Sequence, residues 1–343
     1  MREGKDLILA TKPYANEIRS RSWFHLTTTL GLLILALTGT LVLPYFILRL
    51  AASIFAGLLI VRTFVIYHDH QHHTILHNSK PAEAIMVLFG IYVLAPTSIW
   101  KRSHDYHHKH NSKLFSASIG SYPIATRQKF EQMSRGERRG YLFTRHPLTI
   151  LCGYIFMFMI GMCLQSFASS PKKHLDSLLA LVLHFCGSAA VIYFLGWEAW
   201  ALFILIPFSI ACCMGAYLFY AQHNFPGVTF NDSEDWCYHE AALLSSSFMV
   251  MSPFMNWVTA NIGYHHIHHL NARIPFYRLP QAMAEIPELQ QAKTTSLRIR
   301  EVIACLKLKV WDPELKRMIT LREAAALKTP AYKVNTPQPL GFS

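Results

Sequence analysis

The stretch NIGYHHIHHL at 261–270 gathers four imidazoles within five residues, and YHDHQHH at 67–73 and HDYHHKH at 104–110 repeat the theme. In the first cluster along the chain, His68 and His72 stand at i, i+4. His104, His107 and His108 stand at i, i+3, i+4, and so do His265, His268 and His269. Residues three or four apart project from one face of a helix, so each cluster offers two or three imidazoles to a common point. Imidazole nitrogen is a good ligand for iron, zinc, copper or nickel. Eight such groups exceed what one tetrahedral zinc can use, so the pattern predicts two metal ions. A single histidine is ordinarily a satisfied core or interface residue. Three clusters of matching helical spacing, each beside an apolar run, do not read that way.

The elements that must carry these clusters are membrane helices. Of 343 residues, 52% are apolar and only 15% charged, well under the roughly 25% of soluble domains. The net charge of +12 is scattered among apolar runs, which fits basic loops on one side of a bilayer and excludes a nucleic-acid partner. The seven cysteines include no CxxC pair and read as small apolar residues. No cleavable leader is evident in the polar N-terminus. Spanning a bilayer takes about 20 apolar residues. Segments 22–43, 48–67, 177–197 and 199–220 meet that length, the last two joined by a minimal turn. Arg62, near the end of the second, is expected to snorkel to the headgroups. Trp100, Trp197, Trp200 and Trp257 read as interfacial anchors.

Two further apolar segments, 83–100 and 147–167, are settled by parity. If the clusters at 68–73 and 104–110 act together they share a face, so 83–100 does not cross. His223 follows the span 199–220, and it reaches the same face only if 147–167, which opens with Pro147, also returns without crossing. On that topology nearly all Lys and Arg fall on one side, leaving Arg49 and the GWEAW turn on the other. The predicted fold class is therefore all-α: about four transmembrane helices, two re-entrant or in-plane apolar segments and a cytosolic metal-binding cap. The stretch 236–264, apolar in parts but broken by Ser, Asn, Pro and His, reads as in-plane or half-buried helix, and residues beyond 281 as polar helix to about 328. Residues 1–21 form an N-terminal segment, 22–285 the membrane domain and 286–343 a C-terminal segment whose Pro-rich end, TPAYKVNTPQPLGFS, is expected to be disordered.

HDHQH at 68–72, HDYHH at 104–108 and HHIHH at 265–269 resemble the three histidine boxes, HxxxH, HxxHH and HxxHH, of membrane fatty acid desaturases. The resemblance runs from about 45 to 285. FYAQHNF at 219–225 is similar to the segment of these enzymes that supplies an isolated histidine. NIGYHHIHHLNARIPFYRL is similar to the third box of acyl-lipid desaturases of the Δ12/ω-6 kind. The resemblance implies a non-haem di-iron centre on the cytosolic face, with His68, His72, His104, His107, His108, His223, His265, His268 and His269 as ligands. His70, His73, His77, His110 and His266 are additional, and His73 with His77 forms a competing i, i+4 pair. Ligating histidines usually donate their second N–H to a carboxylate or carbonyl; Asp69, Asp105 and Asn261 are candidates.

Such a centre suits oxidation of an unactivated C–H bond, with iron and O2 supplying the chemistry and the protein the ligands and a dry channel. The leading expectation is a desaturase inserting a double bond into an acyl chain, with O2 as co-substrate. The chain carries no flavin, nicotinamide or fused cytochrome b5 signature, so its two electrons are expected from ferredoxin or from cytochrome b5 with its reductase. A di-iron hydroxylase or ketolase acting on a carotenoid, sterol or alkane would use the same boxes. A zinc-dependent membrane hydrolase would need a placed Glu general base, which the clusters lack. Transport would need polar residues at mid-span, where His184 stands as the one histidine.

Overall fold

The computed structural model describes residues 2–114, 122–231 and 234–327; the Pro-rich end at 329–343 lies outside the described residues. A short helix α1 (Gly4–Thr11) precedes two long antiparallel helices, α2 (Arg19–Val42) and α3 (Phe46–Gln71). Their apolar length suits a bilayer, and Pro44, which lacks an N–H and has a fixed φ, sits in the turn between them. Helices α4 (Lys80–Tyr92) and α5 (Thr97–His110) meet at 92°. Tyr67 donates to the Ala95 carbonyl at 2.9 Å, so this bend lies beside the residue that precedes His68.

The second ambiguous segment also turns back. It begins with Ile150 packed on Ala216 and Tyr220, continues as a wide helix over Tyr154–Gln165, and ends where His174 Nδ1 meets Ser98 Oγ at 2.8 Å. Tyr220 precedes His223 by one turn and Ser98 adjoins the bend beside Tyr67. Both ends of the segment therefore lie at the histidine-bearing end of the bundle. The non-crossing expected for 83–100 and 147–167 agrees with this placement.

Helices α6 (Leu175–Trp200) and α7 (Ile206–Ala221) belong to one 47-residue apolar stretch. A straight helix of that length would measure about 70 Å, more than twice a bilayer core. The stretch folds at Gly196, whose φ of 85° and ψ of 171° suit glycine alone. His184 and Phe208 then come to 5.1 Å between ring centroids, though in a continuous helix they would be about 36 Å apart. The described residues thus offer three helical stretches long and apolar enough to cross a bilayer, the third folded back on itself at Gly196, and the all-α membrane fold fits. At the end remote from the histidines, Arg49 pairs with Glu198 at 2.7 Å.

Gly57 of α3 allows α7 to pack closely: a Cβ there would lie 2.9 Å from both the Ile210 Cβ and the Pro207 carbonyl. Backbone cannot yield as a flexible side chain does. Gly57→Ala is expected to destabilise the protein by about 1–3 kcal/mol, read as a lower thermal midpoint in detergent. An unchanged midpoint would show that the α3–α7 contact relaxes freely.

Four expectations are corrected here. Arg62 does not snorkel. It is 3% exposed, donating from Nε to Thr29 Oγ1 at 3.1 Å and from Nη1 to the Trp257 carbonyl, with Nη2 3.2 Å from His25 Nδ1. Its guanidinium lies 4.6 Å from the centroid of the Trp257 ring, so neutral acceptors and an aromatic face satisfy the charge inside the bundle. Trp100 is not an interfacial anchor: it is fully buried, 4.9 Å from both the Phe64 and the His104 rings. Trp197, at the Gly196 turn, is exposed as an anchor should be. The stretch 236–264, read as broken in-plane or half-buried helix, is not helix throughout. It holds two short helices, Tyr238–Leu244 and Pro253–Val258, with strand β1 (Phe248–Val250) between them; after helix α8 (His265–Leu270), β1 pairs in parallel with β2 (Thr294–Ser296). The helical reading to 328 fails midway, where β3 (Leu308–Asp312) and β4 (Arg317–Thr320) form an antiparallel hairpin. Pro313 cannot continue a helix, and Asp312 Oδ1 accepts from the backbone N–H of Glu314 and Leu315, each at 3.0 Å, closing the turn.

Candidate metal centre

Helix α3 carries His68 on its last turn and ends at Gln71, with His72 as the capping residue. Helix α5 presents His104, His107 and His108 from one face, α8 presents His265, His268 and His269, and His223 follows α7. These nine residues, the set that the resemblance implies, come together as two groups. One comprises His68, His72, His104, His108 and His268, the other His107, His223, His265 and His269. Within each, the ligand atoms lie within 4.8 Å of one another.

In the first group Nε2 of His104 lies 2.8 Å from that of His68 and 3.1 Å from that of His108, which is 3.0 Å from that of His268. In the second, His107 Nε2 is 3.1 Å from His223 and 3.2 Å from His269, while His265 is 2.9 Å from His223 and 3.1 Å from His269. Two nitrogens each about 2.1 Å from one ion and at right angles lie about 3.0 Å apart. The spacing of the donors fits an ion at the centre of each group. His72 Nε2 is buried without a hydrogen-bond partner, an orphan that such an ion would satisfy. Burial pushes His223 down to about 4 and His265, His268 and His269 well below the usual imidazole range. They are therefore neutral at physiological pH, the form that ligates.

The second nitrogens are only partly held by protein. His68 Nδ1 donates to Asp69 Oδ1 at 3.1 Å, and Asp69 Oδ2 accepts the Phe276 N–H at 2.8 Å. The carboxylate thus ties α3 to the loop after α8. His223 Nδ1 donates to the Ser245 carbonyl at 3.0 Å. Those of His104, His107, His108, His265 and His268 are buried without a protein acceptor. Of the three orienting candidates, only Asp69 touches a ligand. Asp105 pairs with Lys101 at 2.9 Å, one turn back on the outer face of α5. Asn261, with φ at 57°, donates to the Phe276 carbonyl at 3.1 Å. Two partners are not predicted: the Ser245 carbonyl, which accepts from His223 Nδ1, and the Tyr238 hydroxyl, which donates to the His269 carbonyl at 2.7 Å.

Asp69→Asn is expected to lower metal affinity about 10- to 100-fold, because the amide no longer fixes the His68 tautomer. Metal retained against a chelator series measures it; wild-type retention would remove Asp69 from any orienting role.

The additional histidines stand apart from both groups. The rings of His73 and His77 pair with each other at 4.7 Å. His110 Nδ1 donates to the Tyr106 carbonyl at 2.9 Å. His266 Nε2 donates to the Leu289 carbonyl at 3.1 Å, and His70 Nδ1 is buried without a partner. The lining of the expected dry channel is not legible in the sequence; the structure holds a narrow apolar cavity beside the histidines. It runs from His68, His104 and His265 between α3 and α7, walled by Phe64, Phe158, Cys212 and Gly215.

The model of the fatty acid desaturase family matches residues 44–301. A fatty acid desaturase of Bacillus subtilis (strain 168) is 29% identical over 278 residues, 81% of this chain and 78% of its own. An sn-1 oleoyl-lipid 12-desaturase of Synechocystis sp. is 23% identical over 274 residues, 78% of this chain and 76% of its own. The chloroplastic omega-6 fatty acid desaturase of Spinacia oleracea is 25% identical over 250 residues, 71% of this chain and 54% of its own. Long apolar helices, nine converging imidazoles and a family match along most of the chain agree, and the chain belongs to the fatty acid desaturase family of oxidoreductases.

Proposed function

We infer that the protein is an acyl-lipid desaturase with a non-haem di-iron centre, one iron held by His68, His72, His104, His108 and His268 and the other by His107, His223, His265 and His269. The observation that carries this reading is the pair of buried all-imidazole groups opening onto an apolar cavity. Iron bound there supplies, with O2, the oxidising power to remove hydrogen from an unactivated chain, which acid–base side chains cannot do. Two hydrogens from the acyl chain, O2, two electrons and two protons give one double bond and two waters. The electrons come from an external donor, ferredoxin or cytochrome b5 with its reductase.

The chain's own residues contribute placement. Asp69 and the Ser245 carbonyl fix two imidazoles so that Nε2 points inward. Phe64, Phe158 and the flanking aliphatic residues line a path that admits an acyl chain and excludes water. The lipid headgroup remains at the histidine end, where most of the cations cluster. That asymmetry supports a cytosolic placement of the histidine boxes and both termini. Residues 22–285 form the desaturase domain. Residues 1–21 and 286–343 are cytosolic segments; Tyr277 Oη accepts the Ile18 N–H at 2.9 Å, tying the first to the domain, and Arg2 pairs with Glu288 at 2.8 Å, tying the two segments to each other.

The test is expression in a host whose lipids are saturated and monounsaturated, with a working donor, followed by fatty-acid analysis. A new double bond that depends on O2 and iron is expected. Unchanged lipids from protein that holds two irons and is reduced by its donor would sink the proposal.

A further inference from the structure

The apolar cavity beside the metal centre does not run through the bundle. Along α7 its walls include Gly215, Cys212 and Ala211, and opposite them Val93 at the end of α4. One turn deeper lies a second cavity, between α4, α6 and α7. Its walls include Leu88, Tyr92, Leu183, His184 and Phe208. Leu88 and Leu183 are 67% and 53% exposed, so the second cavity opens toward the bilayer. Tyr92 and Phe208 wall the second cavity, and each adjoins the inner limit of the first: Tyr92 precedes Val93, and Phe208 lies one turn from Ala211 and Cys212. Their ring centroids are 5.0 Å apart at an interplanar angle of 68°. Phe208 is 1% exposed and is held on its other sides by Tyr154 at 5.5 Å and His184 at 5.1 Å.

Resting on the desaturase reading, we propose that Phe208, packed on Tyr92, is the partition that ends the acyl tunnel and so sets how much chain lies on the methyl side of the reacting carbons. The headgroup stays at the charged end, so the methyl end enters first and travels inward along α7 past Gly215 and Cys212. Phe208 is the first aromatic side chain on α7 beyond those positions. Its ring is wedged by three neighbours and cannot swing aside without disturbing all of them. Removing the ring joins the tunnel to the bilayer-facing cavity. A chain then slides deeper, and the double bond forms farther from the methyl end or in longer chains.

The experiment uses the full-length protein in membranes. Phospholipids carrying a diazirine at the acyl terminus, in graded chain lengths, are photolysed and the labelled residues mapped. Lipid products of the same preparations are analysed for chain length and double-bond position. In wild type the label is expected on Phe158 and on 208–215, and in Phe208→Ala on 180–187. Relative conversion of chains too long for the wild-type tunnel rises about tenfold. Should Phe208→Ala fail to accumulate, Phe208→Leu, which removes the ring but keeps a branched side chain, is expected to move both readouts in the same direction by less. Wild-type labelling and product profile in a folded, iron-loaded variant would overturn the partition while leaving the desaturase reading intact. A wild-type protein that converts no acyl lipid would instead remove that reading, and the partition with it.

Discussion

Replacing His268 by alanine is expected to abolish desaturation, by at least about 1,000-fold, and to lower bound iron, whereas His73→Ala and His77→Ala leave both close to wild type. His268 Nε2 faces His108 at 3.0 Å, and its ring lies 4.5 Å from that of His68 and 5.0 Å from that of His72. It is the one member of α8 in the five-histidine group, so its loss opens that group on one side. Of the remaining imidazoles His68, His104 and His108 are buried and His72 is half-buried, so none is free to rearrange and replace it. His73 and His77 share the i, i+4 spacing of the proposed ligands but face each other away from both groups. Iron content by elemental analysis and product by fatty-acid analysis, both on protein matched for membrane expression, decide the matter. Full iron with no activity would make His268 a catalytic group and not a ligand. Loss of iron in His73→Ala would mean that the first box binds through the other pair.

That contrast also marks where the sequence stopped being informative. Box spacing is a local, helical property, so His104 with His107 and His108, and His265 with His268 and His269, are legible from their register alone. The choice within YHDHQHH is different, because α3 ends inside it. His72 caps the helix, and His73 takes a φ of 55°, a left-handed conformation that sends the next residues away from the centre. No side-chain pattern announces that turn. Asp105 is the reverse case. Its i, i+4 relation to Lys101 is visible in the sequence and already points to the outer face of α5, where the two pair. Trp100 shares the face of His104 and His107, and that register was the signal that it packs under the centre and not at the lipid interface. Arg62 gave no such signal, because its acceptors are a side chain on α2 and a carbonyl near 257, distant in the chain. The cavity is in the same class: its walls come from α3, α4, α7 and the re-entrant segment, and apolar side chains in membrane helices look alike whether they face lipid or each other.

Arg145→Met is expected to destabilise the protein by about 3–5 kcal/mol and to loosen the four-histidine group in particular. Arg145 is fully buried outside the apolar spans, and no carboxylate pairs with it among the described residues. Its Nη1 donates to the Pro123 carbonyl at 3.0 Å and its Nη2 to Asn224 Oδ1 at 2.5 Å, while the guanidinium lies 5.1 Å from the centroid of the Tyr220 ring. Asn224 in turn donates to the Cys305 carbonyl at 2.8 Å, and Tyr220 Oη donates to the Leu308 carbonyl at 3.0 Å. One cation therefore binds together the end of α7, the segment before Pro147 and the first strand of the C-terminal hairpin. Tyr220 and Asn224 flank His223, the proposed ligand that stands alone in sequence. Methionine fills similar space but leaves the Pro123 carbonyl and Asn224 Oδ1 buried without donors, each costing about 1–3 kcal/mol. The end of α7 is then free to shift, and His223 with it. The expected signature is a lower thermal midpoint together with preferential loss of iron from the group that contains His223, followed by Mössbauer spectroscopy of iron-57 protein. Arg145→Lys keeps a charge but not the forked geometry, and is expected to recover part of the stability and little of the iron occupancy. A variant that melts as wild type and keeps both irons would show that His223 is positioned by the Ser245 carbonyl alone.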